Sequence, residues 1–184
     1  MSKQNHAVTR NLVFMALLCA ISMLLSRVLA INTPVMRISL GSVPIVLAGL
    51  CLGPAAGAMV GLVADFMGCV FLSTFGYTPI LALSPMLMGA LPWLLGRYFF
   101  RGDRLSLARV YGVLLPAELL GPVCWTTVGL HLLYGTPMAG LLASRIPVLA
   151  VTGVLDGLVI YLLLKSGLFR RLGLWSQWET QSTY

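Results

Sequence analysis

Five ionisable side chains lie within or at the ends of long apolar runs of this sequence: Arg27, Asp65, Glu118, Arg145 and Asp156. A charge at the centre of a lipid bilayer costs about 2.5–3.5 kcal/mol on insertion scales, so such residues usually face the interior of a helix bundle. They are therefore candidates for a functional site. The chemistry that this set predicts is the binding of polar or charged groups in a cavity enclosed by protein.

Expected depth in the membrane divides these residues into two groups. We expect Arg27 a few residues from the outer end of the first helix and Arg145 at the outer start of the last helix. Asp65 should lie about 10 Å below the outer end of its helix, at 1.5 Å of rise per residue. These three residues are expected to line one cavity open to the outside. Glu118 and Asp156 are expected near mid-depth, in structural hydrogen-bonding roles.

Each outer residue also has a structural interpretation that the sequence leaves open. Arg27 can extend its side chain to the outer headgroups, and Arg145 can serve as an interfacial anchor. Asp65 is too short to reach the surface, and its best structural explanation is a salt bridge with Arg27. The sequence therefore leaves two partners open for Asp65, a ligand or Arg27.

Motifs for bond-breaking chemistry are absent from the sequence. There is no GxxxxGK[ST] segment for ATP and no HExxH segment for a metal. The two histidines, His6 and His131, and the four scattered cysteines form no catalytic or zinc-binding pattern. An intramembrane protease would need two facing aspartates, but no GxGD-like segment surrounds Asp65 or Asp156. We therefore expect neither an enzyme nor a bound metal or cofactor.

The composition indicates an all-α, polytopic integral membrane protein. Of the 184 residues, 59% are hydrophobic and only 9% are charged, which leaves too few polar groups to cover a soluble domain. Runs of about 20 apolar residues are typical of helices that span a bilayer. The net charge of +7 comes from small basic clusters between apolar segments, so it indicates topology rather than nucleic-acid binding.

Three basic clusters define the expected topology, because Lys and Arg concentrate in cytoplasmic loops. They lie before the first apolar run, around "GRYFFRGDRLSLAR", and after the last run. An odd number of crossings must separate Arg37 from Arg97, and three fit. This predicts one membrane domain over residues 1–184 with both termini cytoplasmic. Its six helices are expected near residues 8–30, 42–52, 54–72, 84–100, 108–133 and 144–166.

Small residues recur along two of these helices. Gly53, Gly57, Gly61 and Asp65 are spaced four residues apart, so they share one helix face. Small residues at this spacing let helices approach closely, which predicts that Asp65 is delivered by a face that points into protein. The first helix carries a similar step, Ala16-x-x-x-Ala20.

The segment from Ser26 to Gly96 resembles the substrate-binding S components of energy-coupling-factor (ECF) vitamin transporters, and most of all their folate-specific branch. The motifs that carry the resemblance are, in order, Ser-Arg near the end of helix 1, a Thr-Pro turn, an Ile-x-hydrophobic step, a Pro-Ile, a Gly-Pro turn and the Asp-x-x-Gly that begins at Asp65. The segment "GYTPILALSPMLMGALPWLLG" is similar to the loop and fourth helix that follow in the family. The chain departs from the family pattern after Gly68, where it has Phe71-Leu72-Ser73 in place of Phe-Pro.

The resemblance implies a subunit of the bacterial plasma membrane that captures a vitamin, folate above all, from outside. It would deliver the vitamin to a transmembrane coupling subunit with two ATPase subunits, and Ala16 and Ala20 match the family's docking motif. A pterin ring would donate N–H groups to Asp65, and Arg27 or Arg145 would hold the glutamate tail or stack on a ring. Tyr77 would form part of a lid.

Two alternatives to a folate-specific S component remain open at this point. One is an S component for another vitamin, such as pantothenate or a queuosine precursor. The other is a self-sufficient small ion-coupled transporter, in which Glu118 and Asp156 would be the proton-coupling candidates.

Overall fold

The computed structural model describes residues 2–28, 30–32, 37–72, 78–99 and 106–166. These residues fold into an α-helical bundle with one short strand pair. The helices are α1 (Ser2–Met23), α2 (Ser42–Leu52), α3 (Pro54–Leu72), α4 (Pro79–Phe99), α5 (Leu107–Glu118), α6 (Thr126–Tyr134) and α7 (Met138–Lys165). The strands are β1 (Ile31–Asn32) and β2 (Arg37–Ile38), which pair antiparallel with Ile31 opposite Ile38.

Two π-helical segments extend the α-helices. The first, Leu24–Val28, continues α1, and the second, Leu119–Trp125, joins α5 to α6. Residues 107–134 therefore form one continuous helical rod, at about the place expected for the fifth helix. Pro122 lies inside the second π-helical segment. A proline removes one backbone donor and obstructs the carbonyl one turn earlier, so a locally widened turn at this position has a physical cause.

Five helical segments of the described chain are long and apolar enough to cross a bilayer: Val8–Val28, Pro54–Phe71, Pro79–Phe99, Leu107–Tyr134 and Met138–Lys165. Large apolar side chains, among them Leu12, Phe71 and Leu162, are exposed on their outer surfaces, where lipid replaces water as the solvent. The expectation of an all-helical polytopic membrane protein is confirmed, with the two-residue strands as an addition. The cytoplasmic position of both termini stays a prediction.

Helix α2 is the centre of the bundle. Its 11 residues extend only about 16 Å, too short for a full crossing, and every residue from Val43 to Cys51 is buried. It is apolar on all sides, which is the pattern of a helix surrounded by other helices. The main core cluster joins α2 to α4, α5 and α7 through residues such as Leu50, Met88, Leu114 and Ile160.

Glycines set the spacing between α2, α3 and α4. A Cβ atom on Gly49 or Gly57 would collide with the Gly89 carbonyl, and one on Gly89 would collide with the Gly57 carbonyl. Gly61 is packed in the same way against the Pro85 carbonyl. The prediction that the glycine face of α3 points into protein is thus confirmed for Gly57 and Gly61. Gly53 instead makes the turn before α3, with a φ of 103° that favours glycine.

Two helices begin earlier than the sequence predicted. Helix α4 begins at Pro79 rather than near Ser84, and α7 begins at Met138 rather than near Ser144. Proline suits the first turn of a helix, and Pro79 takes that position in α4, so Pro85 is left inside it. The Ser144 hydroxyl donates to the Leu141 carbonyl at 2.9 Å within α7 and caps nothing.

Candidate binding cavity

A cavity of about 560 Å³ opens between the helices, within the range of small-molecule sites. All five ionisable residues singled out in the sequence line it: Arg27, Asp65, Glu118, Arg145 and Asp156. The prediction that Arg27, Asp65 and Arg145 line one cavity is confirmed, since all three side chains border it. Their expected roles in binding a substrate stay a prediction.

Arg27 and Asp65 form an ion pair on one wall of the cavity. The Arg27 Nη2 and Asp65 Oδ1 atoms are 3.7 Å apart, and the two side chains are 17% and 28% exposed. Arg27 Nη2 also donates to Cys69 Sγ at 3.5 Å, one turn beyond Asp65 on α3. At 3.7 Å the pair is longer than a direct hydrogen bond, so both groups keep capacity for a further partner.

The position of Arg27 depends on local structure at the end of α1. Arg27 lies in the π-helical segment that follows α1, and such segments are frequent at functional sites because they change side-chain direction. The Ser22 hydroxyl donates to the Gly41 carbonyl at 2.7 Å, which holds α1 beside the start of α2. A Cβ on Gly68 would lie 2.8 Å from Arg27 Nε, so glycine leaves room for the guanidinium against α3.

Arg145 joins α7 to the opposite helical rod. Its Nη1 donates to the Pro122 carbonyl at 2.5 Å, and Pro122 lies in the π-helical segment between α5 and α6. Charge-assisted hydrogen bonds of this kind are short and strong. Arg145 is therefore a half-buried residue with a defined partner, rather than an anchor that extends freely to the headgroups.

Glu118 and Asp156 lie deeper and are almost completely buried, with 3% and 1% of their surface exposed. The Ser42 hydroxyl donates to Asp156 Oδ2 at the first residue of α2, where the helix dipole also favours an anion. Strict hydrogen-bond geometry gives Asp156 Oδ1 and both Glu118 oxygens no partner among the described residues, but the two carboxyl groups lie close enough to interact with each other. The groups that face Asp156 are therefore the Ser42 hydroxyl and the Glu118 carboxyl group.

Small residues on α7 bring this helix close to Glu118. A Cβ on Gly153 would lie 2.9 Å from Glu118 Oε2, and one on Gly157 would overlap the Tyr111 ring. Asp156 lies between Gly153 and Gly157 in the sequence and three residues after Gly153. Residues three apart lie on the same side of a helix, so the face of α7 that packs inward also carries the Asp156 carboxylate. This spacing is the signal in the sequence that identifies the inward face of α7.

Two other predicted site residues, Ala16 and Ala20, do not line this cavity. Ala16 and Ala20 lie on the exposed surface of α1. Tyr77 lies outside the described residues. Within the part of the chain that the structure describes, no three His, Cys, Asp or Glu side chains are grouped as metal ligands would be.

Comparison with known proteins supports one family. The family model described as the ECF transporter, substrate-specific component, matches residues 10–164. The chain is 27% identical over 150 residues to the folate transporter FolT of Clostridium novyi (strain NT), covering 82% of this chain and 85% of the relative.

Solved structures show the same fold. A crystal structure of FolT bound with folic acid matches with a TM-score of 0.63 and 27% identity, covering 83% of this chain and 89% of the other. The S component of a bacterial ECF transporter matches with a TM-score of 0.61 at 22% identity, covering 90% and 96% of the two chains. The chain therefore belongs to the substrate-specific S components of ECF transporters, cell-membrane subunits that bind a small molecule, work with an energy-coupling module and are not enzymes.

Proposed function

We propose that this S component binds folate. The observation that carries the proposal is the composition of the cavity, which combines two arginines with three carboxylates in about 560 Å³. Folate has matching chemistry, since its pterin ring presents N–H donors and its glutamate tail carries carboxylates. The similarity to FolT and to a FolT structure bound with folic acid supports this choice among vitamins.

Arg27 and Asp65 are proposed to act together in this site. Arg27 would hold a carboxylate of the glutamate tail or stack on a ring, since a guanidinium offers both modes. Asp65 would hold Arg27 in position through their ion pair and accept an N–H group from the ligand. Arg145 would complete the cationic part of the cavity, and Tyr77 would contribute to a lid over the ligand.

Coupling to transport is proposed to use the exposed surface of α1. Ala16 and Ala20 present small side chains there, which allow the close backbone approach that helix association in membranes requires. The proposed partner is a transmembrane coupling subunit with two ATPase subunits. The S component would then supply capture and specificity, while ATP is hydrolysed by its partners.

Binding of folic acid to the purified full-length protein tests the proposal. We expect a nanomolar dissociation constant by calorimetry in detergent, and folate among the molecules that co-purify when they are identified by mass spectrometry. Pantothenate and a queuosine precursor serve as comparison ligands. Tight binding of either one, with no binding of folic acid, would show that the substrate assignment is wrong.

A further inference from the structure

The end of α1 changes its helical type just before Arg27. Helix α1 ends at Met23, and the π-helical segment Leu24–Val28 that follows it contains Arg27. A π-helical turn closes its hydrogen bond one residue later than an α-helical turn, so the transition between the two types changes the direction of the side chains beyond it. The contacts that hold this transition in place therefore decide where the Arg27 guanidinium lies.

Gly41, the residue before α2, contacts the end of α1 on both sides of this transition. The Ser22 hydroxyl, in the last turn of α1, donates to the Gly41 carbonyl at 2.7 Å. Ser26 lies inside the π-helical segment, and a Cβ on Gly41 would come within 2.5 Å of the Ser26 Cβ. Any side chain at position 41 would push the end of α1 away, so a glycine is needed for both contacts.

The start of α2 is itself held by the rest of the bundle. Every residue from Val43 to Cys51 is buried, which makes α2 the most enclosed helix of the described chain. The Ser42 hydroxyl donates to Asp156 on α7, and the Glu118 carboxyl group lies beside Asp156. Gly41 and Ser42 thus connect α1 to α7, and the end of α1 rests on a support that the core fixes.

Ser22 has the contacts of a residue that positions another one. It borders the cavity, but only 1% of its surface is exposed and its hydroxyl hydrogen is used by the Gly41 carbonyl. Arg27 follows five residues later, and its Nη2 atom lies 3.7 Å from Asp65 Oδ1 on α3. The ion pair therefore joins two helices, and its geometry depends on where the end of α1 is held.

We propose that Ser22 and Gly41 are positioning residues for Arg27. They hold the transition from α-helix to π-helix against the start of α2, so that the guanidinium lies beside Asp65 before the ligand arrives. A group that is already in place loses less conformational freedom on binding, which is the physical reason for such a support. This inference rests on the proposed function, in which Arg27 contacts the ligand, and it adds two residues that act on binding only through Arg27.

A double-mutant cycle between Ser22 and Arg27 separates positioning from direct contact with the ligand. We expect Ser22→Ala to weaken folic acid binding about fivefold, the usual consequence of losing one hydrogen bond. In the Arg27→Ala background the same change should have no further effect, because no guanidinium remains to be positioned. Calorimetry on the four proteins gives the four dissociation constants. The same loss in both backgrounds, or no loss in either, would overturn the inference.

Gly41→Ala tests the same support by steric displacement. It should weaken folic acid binding at least as much as Ser22→Ala, and this effect should also disappear in the Arg27→Ala background. Thr127→Val is the matched control, because the buried Thr127 hydroxyl also donates to a backbone carbonyl, that of Val123, and the residue does not line the cavity. It should bind folic acid with wild-type affinity. Equal weakening by this control would count against a specific role of Ser22 and overturn the inference.

Chemical labelling without ligand measures the position of Arg27 directly. Phenylglyoxal modifies accessible guanidinium groups, and mass spectrometry of the peptides follows Arg27 and Arg145 in the same sample. Ser22→Ala should speed the labelling of Arg27 about threefold, since loss of one hydrogen bond shifts a local equilibrium by about that factor. Arg145 should keep its wild-type rate, because the Pro122 carbonyl holds it. Equally faster labelling of both arginines would indicate general loosening and overturn the inference.

The labelling also distinguishes failure of the folate proposal from failure of this inference. If the folded wild-type protein does not bind folic acid, the folate proposal fails, whereas faster labelling of Arg27 alone would still support its positioning. If Arg27→Ala binds folic acid as the wild type does, the proposed ligand contact of Arg27 fails, and the labelling again decides the positioning. Wild-type labelling of Arg27 in both Ser22→Ala and Gly41→Ala overturns the inference whether or not folic acid binds.

Discussion

At the scale of single residues, the ionisable side chains of this protein differ in how well their partners satisfy them. Arg27 and Asp65 face each other at 3.7 Å and remain partly exposed, whereas Glu118 and Asp156 are buried beside each other. A partly exposed ion pair contributes little to stability, since water and the partner compete for the same groups. We therefore propose that the pair serves ligand binding in the cavity rather than stability.

The first prediction concerns the coupling of Arg27 with Asp65. We expect Arg27→Ala and Asp65→Ala each to weaken folic acid binding at least tenfold, which is about 1.4 kcal/mol. Because each residue positions the other, the double variant should lose much less than the sum of the two single losses. Dissociation constants of the four proteins, measured by calorimetry, give the coupling energy directly.

Cys124→Ser is the control for these variants, since Cys124 is exposed on the second π-helical segment. It should bind folic acid as the wild type does. Unchanged affinity in both alanine variants would assign Arg27 and Asp65 a structural role, and strictly additive losses would show that they act independently.

At the scale of helices, close approach of backbones decides the shape of the cavity. The helices α2, α3 and α4 approach so closely that a backbone carbonyl of one lies against a glycine Cα of another, at Gly49, Gly57 and Gly89. The same kind of contact continues at Gly61, one turn before Asp65. Without a hydrophobic driving force between helices in lipid, van der Waals packing at such small residues is a main source of association. The glycines that fix this crossing therefore also fix the position of the cavity wall that carries Asp65.

The second prediction follows from this crossing. A Cβ at Gly89 would collide with the backbone of α3, which cannot move independently of its helix. Gly89→Ala should therefore lower the free energy of unfolding by about 1–3 kcal/mol, as overpacked cores do. The measurement is the thermal unfolding midpoint of the purified protein, with the folic acid affinity as a second readout.

Gly140→Ala is the matched control, because the nearest atom to a Cβ at that position is Pro137 Cγ at 4.0 Å. Alanine is preferred to glycine inside a helix by about 0.5–1 kcal/mol, so this variant should unfold at the wild-type midpoint or slightly above it. Equal midpoints for Gly89→Ala and Gly140→Ala would contradict the described crossing.

At the scale of the whole molecule, the proposed binding cavity and the proposed docking surface lie on different parts of the bundle. The cavity brings together five ionisable side chains, while the outer surfaces of the long helices are mostly apolar and fit a lipid environment. Ala16 and Ala20 interrupt the apolar outer surface of α1 with small side chains. If both proposals hold, we expect that ligand binding and docking can be altered independently.

The third prediction tests that separation. Ala16→Trp and Ala20→Trp should abolish ATP-dependent uptake in vesicles that contain the complete transporter, because a large side chain prevents close helix approach. Folic acid binding to the isolated variants should equal that of the wild type. Val154→Trp, a change at an exposed side chain of α7, is the control and should retain uptake. Normal uptake by both alanine-site variants would assign docking to another surface.

The sequence by itself determined those features that depend on local composition and spacing. Its apolar runs predicted a polytopic helical protein, and the four-residue spacing of Gly57, Gly61 and Asp65 predicted which face of α3 points inward. Helical periodicity alone relates such residues to one face, so no knowledge of neighbouring helices was needed. The cost of a charge in lipid likewise selected the five residues that line the cavity.

Only the tertiary structure decided how the helices are rotated against one another. Distance along a helix predicted that Glu118 and Asp156 lie deep, but not that they share the cavity or that their carboxyl groups lie beside each other. Those facts depend on the packing of Gly153 against Glu118 and of Ser42 against Asp156, between segments far apart in the chain. The starts of α4 and α7 were also beyond the sequence, because a proline suits either the first turn of a helix or, when neighbouring helices compensate, its interior.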